Sequence, residues 1–599
     1  MYRKHVASWK SQLVLLGLFL ILGFSLFNMQ VINGERYLAI SENNYVRIVK
    51  INPLRGNIFD RKYREIASNT SSDNLHFTLS RLRDSHRLAQ FISANFDIDS
   101  LSVLKIIHDN RFRKYHDISL VKGLTYEKLV EIAERMNEFP SLKFKSEYVR
   151  QYSYPNHFTG HTGPVSESEY EIYKDKGYSL NSEIGKNGLE KQYEELLHGT
   201  AGFQLIQVDA TGKSLEFLKH NLYKPALNGK DLILSVDNDL QNYIRKIFPA
   251  KEKGAVVVMD VRTGGILAYV SMPEFDPNVY SSAISKPVWE SMINNPDKPM
   301  LDRISNGTYP PGSIFKMITA SLALEAGLIT PETKMTECTG GLQVGDRFFG
   351  CWYAAGHGRL SVSDAIKYSC DVFFYDVSLL IELDDMKRFT EQNFLTMKTG
   401  VDLPTERRGF FPDERWYIEN YGRYTGIIGP KVNLSIGQGE LLITPLEFCA
   451  YYSALANDGI WQQPHFLEEI IDQERVPVRD YENRRLPLSE ETVKLLQHAL
   501  DRTVNERWGT GAGAKVAGVK VCGKTGSAEN HMGDETHAWF AGYAEWEEPE
   551  IAFVVFVENG GHGGAKAAPL ASELVTFYDL LRTNDPQNYH HLLKGNSED

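Results

Sequence analysis

The strongest constraint on this chain is the stretch LVLLGLFLILGFSLFNM, Leu13 to Met29, which carries no charge. A helix that is apolar on every side must sit in a protein core or in lipid. With its flanks the run approaches the ~20 residues that cross a bilayer core. A buried core helix is the competing reading, but core helices rarely begin so near a chain start behind a basic leader, and Arg3, Lys4 and Lys10 precede this one. The positive-inside rule then keeps residues 1–11 in the cytoplasm and exports everything after about residue 31. No small-residue cleavage pattern follows, so residues 12–31 read as an uncleaved anchor.

Beyond the anchor, 599 residues exceed what one core holds and imply several domains. A net charge of -12, from 65 basic and 77 acidic side chains, leaves no basic face for nucleic acid. Residues 70–150 include helical stretches such as TYEKLVEIAERMNEF, where apolar side chains recur at three and four. A boundary near Pro225 separates residues 32–225 from residues 226–584. After it come a helix, DNDLQNYIRKIF, and a hairpin, GAVVVMDVRTGGILAYVSM, with turn chemistry at Arg262–Gly265. Helices and loops fill residues 280–510. Strand runs return in VAGVKVCGKTGSAE, AWFAGYAE and EIAFVVFVEN, and PLASELVTFYDLLR follows as a helix. Strands at both ends with helices between them predict an α+β fold on one central antiparallel sheet. Residues 585–599 read as a polar, flexible tail.

Three short motifs carry chemistry. PPGSIFK puts Ser313 three residues before Lys316, on one face of a helix that starts near Gly312. An alcohol becomes a nucleophile only when a base takes its proton, and a lysine can do so. Alone, this spacing reads better as a capping serine beside a solvated lysine. KYSCDV adds Ser369 and Asp371 on either side of Cys370, and CGKTGS adds Lys524, Thr525, Gly526 and Ser527 at the end of a strand run. S-x-x-K, S-x-N-type and K-T-G motifs in this order mark penicillin-binding proteins and class A β-lactamases.

With PLRGNIFDR, YPNHFTGHTGPV, NGLEKQYEELLHGTAG and SIGQGELLITPLE, nearly the whole chain resembles the class B penicillin-binding proteins, in their elongation-type branch. The resemblance implies a single transmembrane anchor, an elongated periplasmic pedestal (dimerisation-like) domain, and a transpeptidase domain of the penicillin-binding/serine β-lactamase-like fold. It implies a peptidoglycan D,D-transpeptidase that cross-links stem peptides through a Ser313 acyl-enzyme and is blocked covalently by β-lactams. Lys316 would take the Ser313 proton, Ser369 relay one to the leaving group, Lys524 add positive potential that acts on Lys316 and attracts the substrate carboxylate, and Thr525, Gly526 and Ser527 receive that carboxylate. The second motif usually ends in Asn. Asp371 accepts hydrogen bonds but cannot donate, so a direct contact to substrate is in question and a pairing with Lys316 or Lys524 is the alternative. The family also implies the bacterial inner membrane, with the bulk of the chain periplasmic, and a membrane-embedded glycosyltransferase of the shape, elongation, division and sporulation class as partner. Competing functions are a D,D-carboxypeptidase, a β-lactamase, and a non-catalytic scaffold or β-lactam sensor.

Five cysteines are present, and Cys338, Cys351 and Cys370 flank His357 at intervals of twelve, five and twelve residues. Three sulfurs and an imidazole suit a structural zinc. Some elongation-type members resemble this arrangement around a G-H-G turn. A disulfide in an oxidising compartment, or separate buried thiols, are the other readings. Cys449 and Cys522 read as small buried hydrophobes.

Overall fold

The computed structural model describes residues 9–35, 46–96, 98–112, 114, 117–178, 182–208, 214–215, 223–281, 286–422, 427–530 and 535–583. Most of the cytoplasmic leader and the tail expected from residue 585 lie outside them. The apolar run forms a helix, Trp9–Phe27, continued by a π-helical turn, Asn28–Ile32. It is one helix long and apolar enough to cross a membrane, and none of it is buried by the rest of the chain.

The chain divides into two compact units, and not at a single cut. The smaller comprises residues 1–54, 71–147 and 198–229; the larger comprises residues 55–70, 148–197 and 230–599. In the smaller unit, strand Val46–Ile51 pairs antiparallel with Gly202–Val208. Helices Ser85–Asn95, Ser100–Asp109 and Tyr126–Arg135 start at side-chain caps from Asp84, Asp99 and Thr125. Leu75, Phe77, Leu88, Ile92, Val103 and Ile132 form its core.

In the larger unit, the segments that return from the N-terminal half are held by a buried ion cluster. Glu190 accepts Arg55 at 2.5 Å and Arg150 at 2.6 Å, and Arg55 also reaches Glu194 at 2.8 Å. The arginine of PLRGNIFDR and the glutamate of NGLEKQ are thus partners, and each neutralises a charge that would be costly to bury alone.

The centre of this unit is a five-stranded antiparallel sheet. Its strands are β1 Gly254–Asp260, β2 Ile266–Met272, β3 Lys520–Ala528, β4 His537–Glu545 and β5 Pro549–Val557, in the order β2-β1-β5-β4-β3. The expected hairpin is β1–β2, and β3 is the edge at the opposite end of the sheet from β2. The run GAVVVMD is apolar at nearly every position because both faces of the sheet are covered. Val256 and Val258 point to one side, where they meet helices α1 Asn238–Ile247 and α6 Ala567–Arg582. Val257 and Met259 point to the other, into the larger core with α2 Lys316–Glu325 and α4 Pro445–Ala456. That is the period-2 alternation of a strand between two helical layers. Helix α2 is buried from Lys316 through Ala323. Its only charge among those positions is therefore held in the interior.

Candidate active site

Ser313 lies in a single 3₁₀ turn, Gly312–Phe315, that runs directly into α2. Its neighbours Gly312 and Ile314 are buried, while Ser313 itself is half-exposed. Glycine is required before it. Gly312 has φ +57°, and a Cβ there would lie 2.7 Å from the Ser527 carbonyl oxygen on β3. The turn is anchored from behind, because the Gly312 N–H donates to the Gly437 carbonyl at 2.8 Å. The Trp539 indole N–H donates to the Pro310 carbonyl at 3.1 Å, and the Tyr452 hydroxyl to that of Ile314 at 3.0 Å.

Lys316 is fully buried, and its ammonium points to the turn that carries the second motif. Nζ donates to the Ser369 carbonyl at 2.9 Å, to Ser369 Oγ at 3.2 Å and to Asp371 Oδ1 at 2.7 Å. Its Nζ also lies 5.4 Å from the centre of the Phe374 ring. Among the described residues no hydrogen bond joins it to Ser313. Ser369 has φ +54°, a conformation that costs a non-glycine residue about 1–2 kcal/mol. That turn sends Oγ to a third group: Lys524 Nζ donates to it at 2.9 Å, and to the Thr525 carbonyl at 3.0 Å. Ser369 Oγ therefore sits between two amines. Burial, with the Lys316 charge beside it, pushes the Lys524 amine well below the ordinary lysine range, and Asp371 opposes this without cancelling it. Asp371 opens helix α3, Asp371–Ser378. It pairs with Lys316, the first of the two expected alternatives.

The third motif lies on β3, whose outer edge is unpaired by any other strand among the described residues. Thr525 and Gly526 are buried and Ser527 is half-exposed, its Oγ accepting the Gly563 N–H at 3.2 Å. The three motifs thus meet in one place, Ser313 and Lys316 from α2 and its entry turn, Ser369 and Asp371 from the entry to α3, and Lys524 to Ser527 from the edge strand.

Several residues that shape this site have no motif of their own. Gln438 clamps the end of β3, donating to the Ser527 carbonyl at 3.2 Å and accepting the Glu529 N–H at 3.1 Å. Gly437 and Gly563 face backbone so closely that a Cβ would lie 2.2 Å from the Gly312 carbonyl and 2.3 Å from that of Gly526. The peptide N–H of Trp352 donates to Asp371 Oδ2 at 3.0 Å. A backbone donor leaves no signature in a sequence. Gly437 stands in SIGQGELLITPLE and Gly563 in no motif, and only tertiary contact tells that both must be glycine.

Cys338, Cys351, His357 and Cys370 also come together, their ligand atoms all within 4.8 Å of one another. All five cysteines are free thiols, so no disulfide links them. Cys338 is bridged by backbone hydrogen bonds to Gly358 at 2.9 and 3.0 Å, and Cys351 N–H donates to the Gly340 carbonyl at 2.9 Å. These bonds close a clip around the hairpin Gly341–Val344/Arg347–Gly350. His357 Nδ1 lies 3.5 Å from Cys351 Sγ and 3.7 Å from Cys338 Sγ. Around a tetrahedral ion with metal–sulfur bonds of ~2.3 Å and metal–nitrogen bonds of ~2.0 Å, the sulfur–nitrogen edge is about 3.5 Å. The donor set and its spacing therefore fit zinc. Contacts from Cys370 first, then His357 and nearby backbone N–H groups, hold Cys351 toward the thiolate. Cys449 and Cys522 are buried elsewhere in the core, as expected.

A serine and a lysine on a central helix, faced by a second serine and an edge-strand lysine beside a five-stranded sheet, define a serine acyl-transfer fold of the penicillin-recognising class. The penicillin-binding protein transpeptidase domain matches residues 254–576, and the penicillin-binding protein dimerisation domain matches residues 50–234. The chain belongs to this family. Among its relatives, peptidoglycan D,D-transpeptidase MrdA of Acinetobacter baumannii is 30% identical, over 93% of this chain and 85% of that protein. The MrdA protein of Haemophilus influenzae is 29% identical over 98% of this chain and 94% of its own length. Among solved structures, penicillin-binding protein PBP2 of Helicobacter pylori, in complex with MreC, superposes with a TM-score of 0.78 at 26% identity, covering 89% of this chain and 99% of that one.

Proposed function

We propose that this chain is a peptidoglycan D,D-transpeptidase in which Ser313 forms the acyl-enzyme, and that it is anchored in the inner membrane by its N-terminal helix with the bulk of the chain periplasmic. The observation that carries the reading is the line Lys316 Nζ–Ser369 Oγ–Lys524 Nζ, with steps of 3.2 and 2.9 Å, ending three residues from a half-exposed serine.

Lys524, held toward its neutral form, can receive a proton from Lys316 through Ser369. Lys316 is then a free amine for the Ser313 hydroxyl. As Ser313 Oγ bonds to the carbonyl carbon of the penultimate D-alanine, its proton passes to Lys316. The C–N bond to the terminal D-alanine breaks, and Ser369 returns a proton to the leaving nitrogen. An amine of a second stem peptide then attacks the ester, forms the cross-link and restores the Ser313 hydroxyl. The unpaired edge of β3 offers main-chain groups to an extended peptide. Thr525 and Ser527, beside Lys524, are suited to its carboxylate. β-Lactams acylate the same serine.

Zinc is the ion that Cys338, Cys351, His357 and Cys370 would hold. Bound there, it supplies a structural crosslink. Cys370 lies between Ser369 and Asp371, so a fixed sulfur holds the turn that aims both side chains. A partner of the MreC kind, as in the Helicobacter pylori complex, and a membrane-embedded glycosyltransferase that supplies the glycan fit a transpeptidase of this family.

Labelling with a fluorescent penicillin, wild type beside Ser313→Ala, tests this reading. The expected result is a label that persists for hours and is absent in Ser313→Ala. A label that clears within seconds supports a β-lactamase instead, and no label on folded wild type supports a scaffold.

A further inference from the structure

We infer that Asp371 and the peptide N–H of Trp352 form a clamp that positions Lys316, and that this clamp is why the second motif carries aspartate. The inference rests on the proposed role of Lys316 as the group that takes the Ser313 proton.

Two donors converge on Asp371 from opposite sides. The Lys316 ammonium meets Oδ1 at 2.7 Å and the Trp352 N–H meets Oδ2 at 3.0 Å. The carboxylate is nearly buried and the lysine wholly so, with side-chain exposures of 11% and 0%. Water is therefore a poor substitute for either partner. A carboxylate accepts on both oxygens, whereas the asparagine amide accepts on one side only and donates on the other. Whichever way an asparagine amide turned here, its NH2 would face a donor, either the ammonium or the peptide N–H. The substitution that looks most conservative is thus the one this geometry rejects.

Trp352 is a strut as well as a donor. Trp352 is 61% exposed as a residue, yet its indole N–H donates to the Tyr368 carbonyl at 3.1 Å. One residue is therefore bonded, through backbone and side chain, to both ends of the turn from Tyr368 to Asp371. Just before it, Cys351 belongs to the thiol–imidazole cluster and is tied to Gly340. The hairpin clip reaches Lys316 most directly through the Trp352 peptide group and the Asp371 carboxylate. Lys316 keeps its two contacts to Ser369 without them, but those draw it toward Ser369 alone. Asp371 supplies the third direction and the only carboxylate paired with Lys316 among the described residues. In this arrangement Asp371 is a positioning residue. Both of its oxygens are engaged inside the protein.

The test is a double-mutant cycle on the rate of acylation by a fluorescent penicillin, resolved into initial binding and the covalent step. Asp371→Asn should slow the covalent step about tenfold or more and leave initial binding near wild type. Trp352→Pro removes the peptide N–H. In that background an asparagine oxygen can serve Lys316 while its NH2 faces no donor, so the penalty of Asp371→Asn should shrink to under about threefold. Trp352→Ala removes the ring but keeps the N–H, and there the full penalty should remain. Equal penalties in the Pro and Ala backgrounds, or none in wild type, overturn the clamp. If Trp352→Pro does not fold, hydrogen exchange at the Trp352 amide decides. Asp371→Asn should deprotect that amide at least about tenfold while the central sheet is unchanged, and unchanged protection refutes the inference. Ser313→Ala in the same assay separates the two readings. A label that survives Ser313→Ala refutes the proposed function. Loss of label there, with Asp371→Asn acylating as wild type, refutes the clamp alone.

Discussion

Gly437→Ala should cripple acylation from a position that touches no substrate. Gly437 has φ +75°, and its Cβ would lie 2.2 Å from the carbonyl oxygen of Gly312, whose own N–H is bonded to the Gly437 carbonyl at 2.8 Å. An alanine costs about 1–2 kcal/mol for the left-handed backbone alone. Restoring ordinary carbon–oxygen contact then requires the Gly312 carbonyl to retreat by roughly 1 Å, against a turn pinned by Trp539 and Tyr452; such overpacking costs about 1–3 kcal/mol more. Gly312 immediately precedes Ser313. A displacement of ~1 Å at a reacting group is worth about a hundredfold in rate. The assay is the second-order rate of penicillin labelling beside a thermal melt. Gly327→Ala is the control, because Gly327 has φ +67° with nothing within 4 Å of its Cβ. It should lose the backbone term only and acylate as wild type. If Gly437→Ala acylates within about threefold of wild type, or if Gly327→Ala is equally slow, the packing argument is wrong.

Trp539→Phe leaves the buried Pro310 carbonyl without its donor and a gap where the second ring stood, so it should cost at least about 1–3 kcal/mol in a melt; an unchanged melt would refute the importance of that bond. Cys351→Ser and Cys370→Ser should each lower both bound zinc and acylation, and full β-lactam reactivity in metal-free protein would refute the structural role. Acylation should fall on the acid side as Lys524, whose charged form is disfavoured by burial, Lys316 and despite Asp371, takes up a proton and can no longer receive one through Ser369. For stability, the unfolded chain holds a proton that the native lysine releases between the depressed Lys524 value and the ordinary lysine value, so stability rises with pH across that window and the destabilisation is full only below it. A labelling rate that stays level as the pH falls, down to the limit at which the protein remains folded, would rule out the relay.

How much of this was legible in the chain differs by kind of signal. The hairpin β1–β2, the edge strand and the helix after Ser313 were readable because a period of two or of 3.6 is a local property, and turn residues punctuate it. The S-x-x-K spacing was readable because one helical turn brings its ends together. The cysteine set was readable as a group because thiols are few. The division of the larger unit was not. Residues 55–70 and 148–197 belong with residues 230–599: Arg55, Arg150 and Glu190 bind the two returning segments to each other, Lys62 and Arg64 bind the first of them to Asp237 and Asp239, and all look like ordinary surface charges in the sequence. The boundary expected near Pro225 followed the order of the chain, whereas the contacts do not.

The same contrast explains the second motif. From the sequence, aspartate in place of asparagine reads as a lost donor and puts a substrate contact in question. In the structure it is a second acceptor, matched to a second donor nineteen residues upstream in the chain. That donor is a peptide group, identical at every position except proline, so no choice of residue at 352 advertises it. What places it there is the clip from Cys338 to Gly358, built on the left-handed glycines Gly340 and Gly356, whose Cβ atoms would lie 2.3 and 2.2 Å from backbone oxygens of Ala354 and Cys338. The thiol cluster, the clip and the aspartate are therefore one device: a change in any of them is felt at Lys316, and an Asp371→Asn chain would need a different clip to regain what it lost.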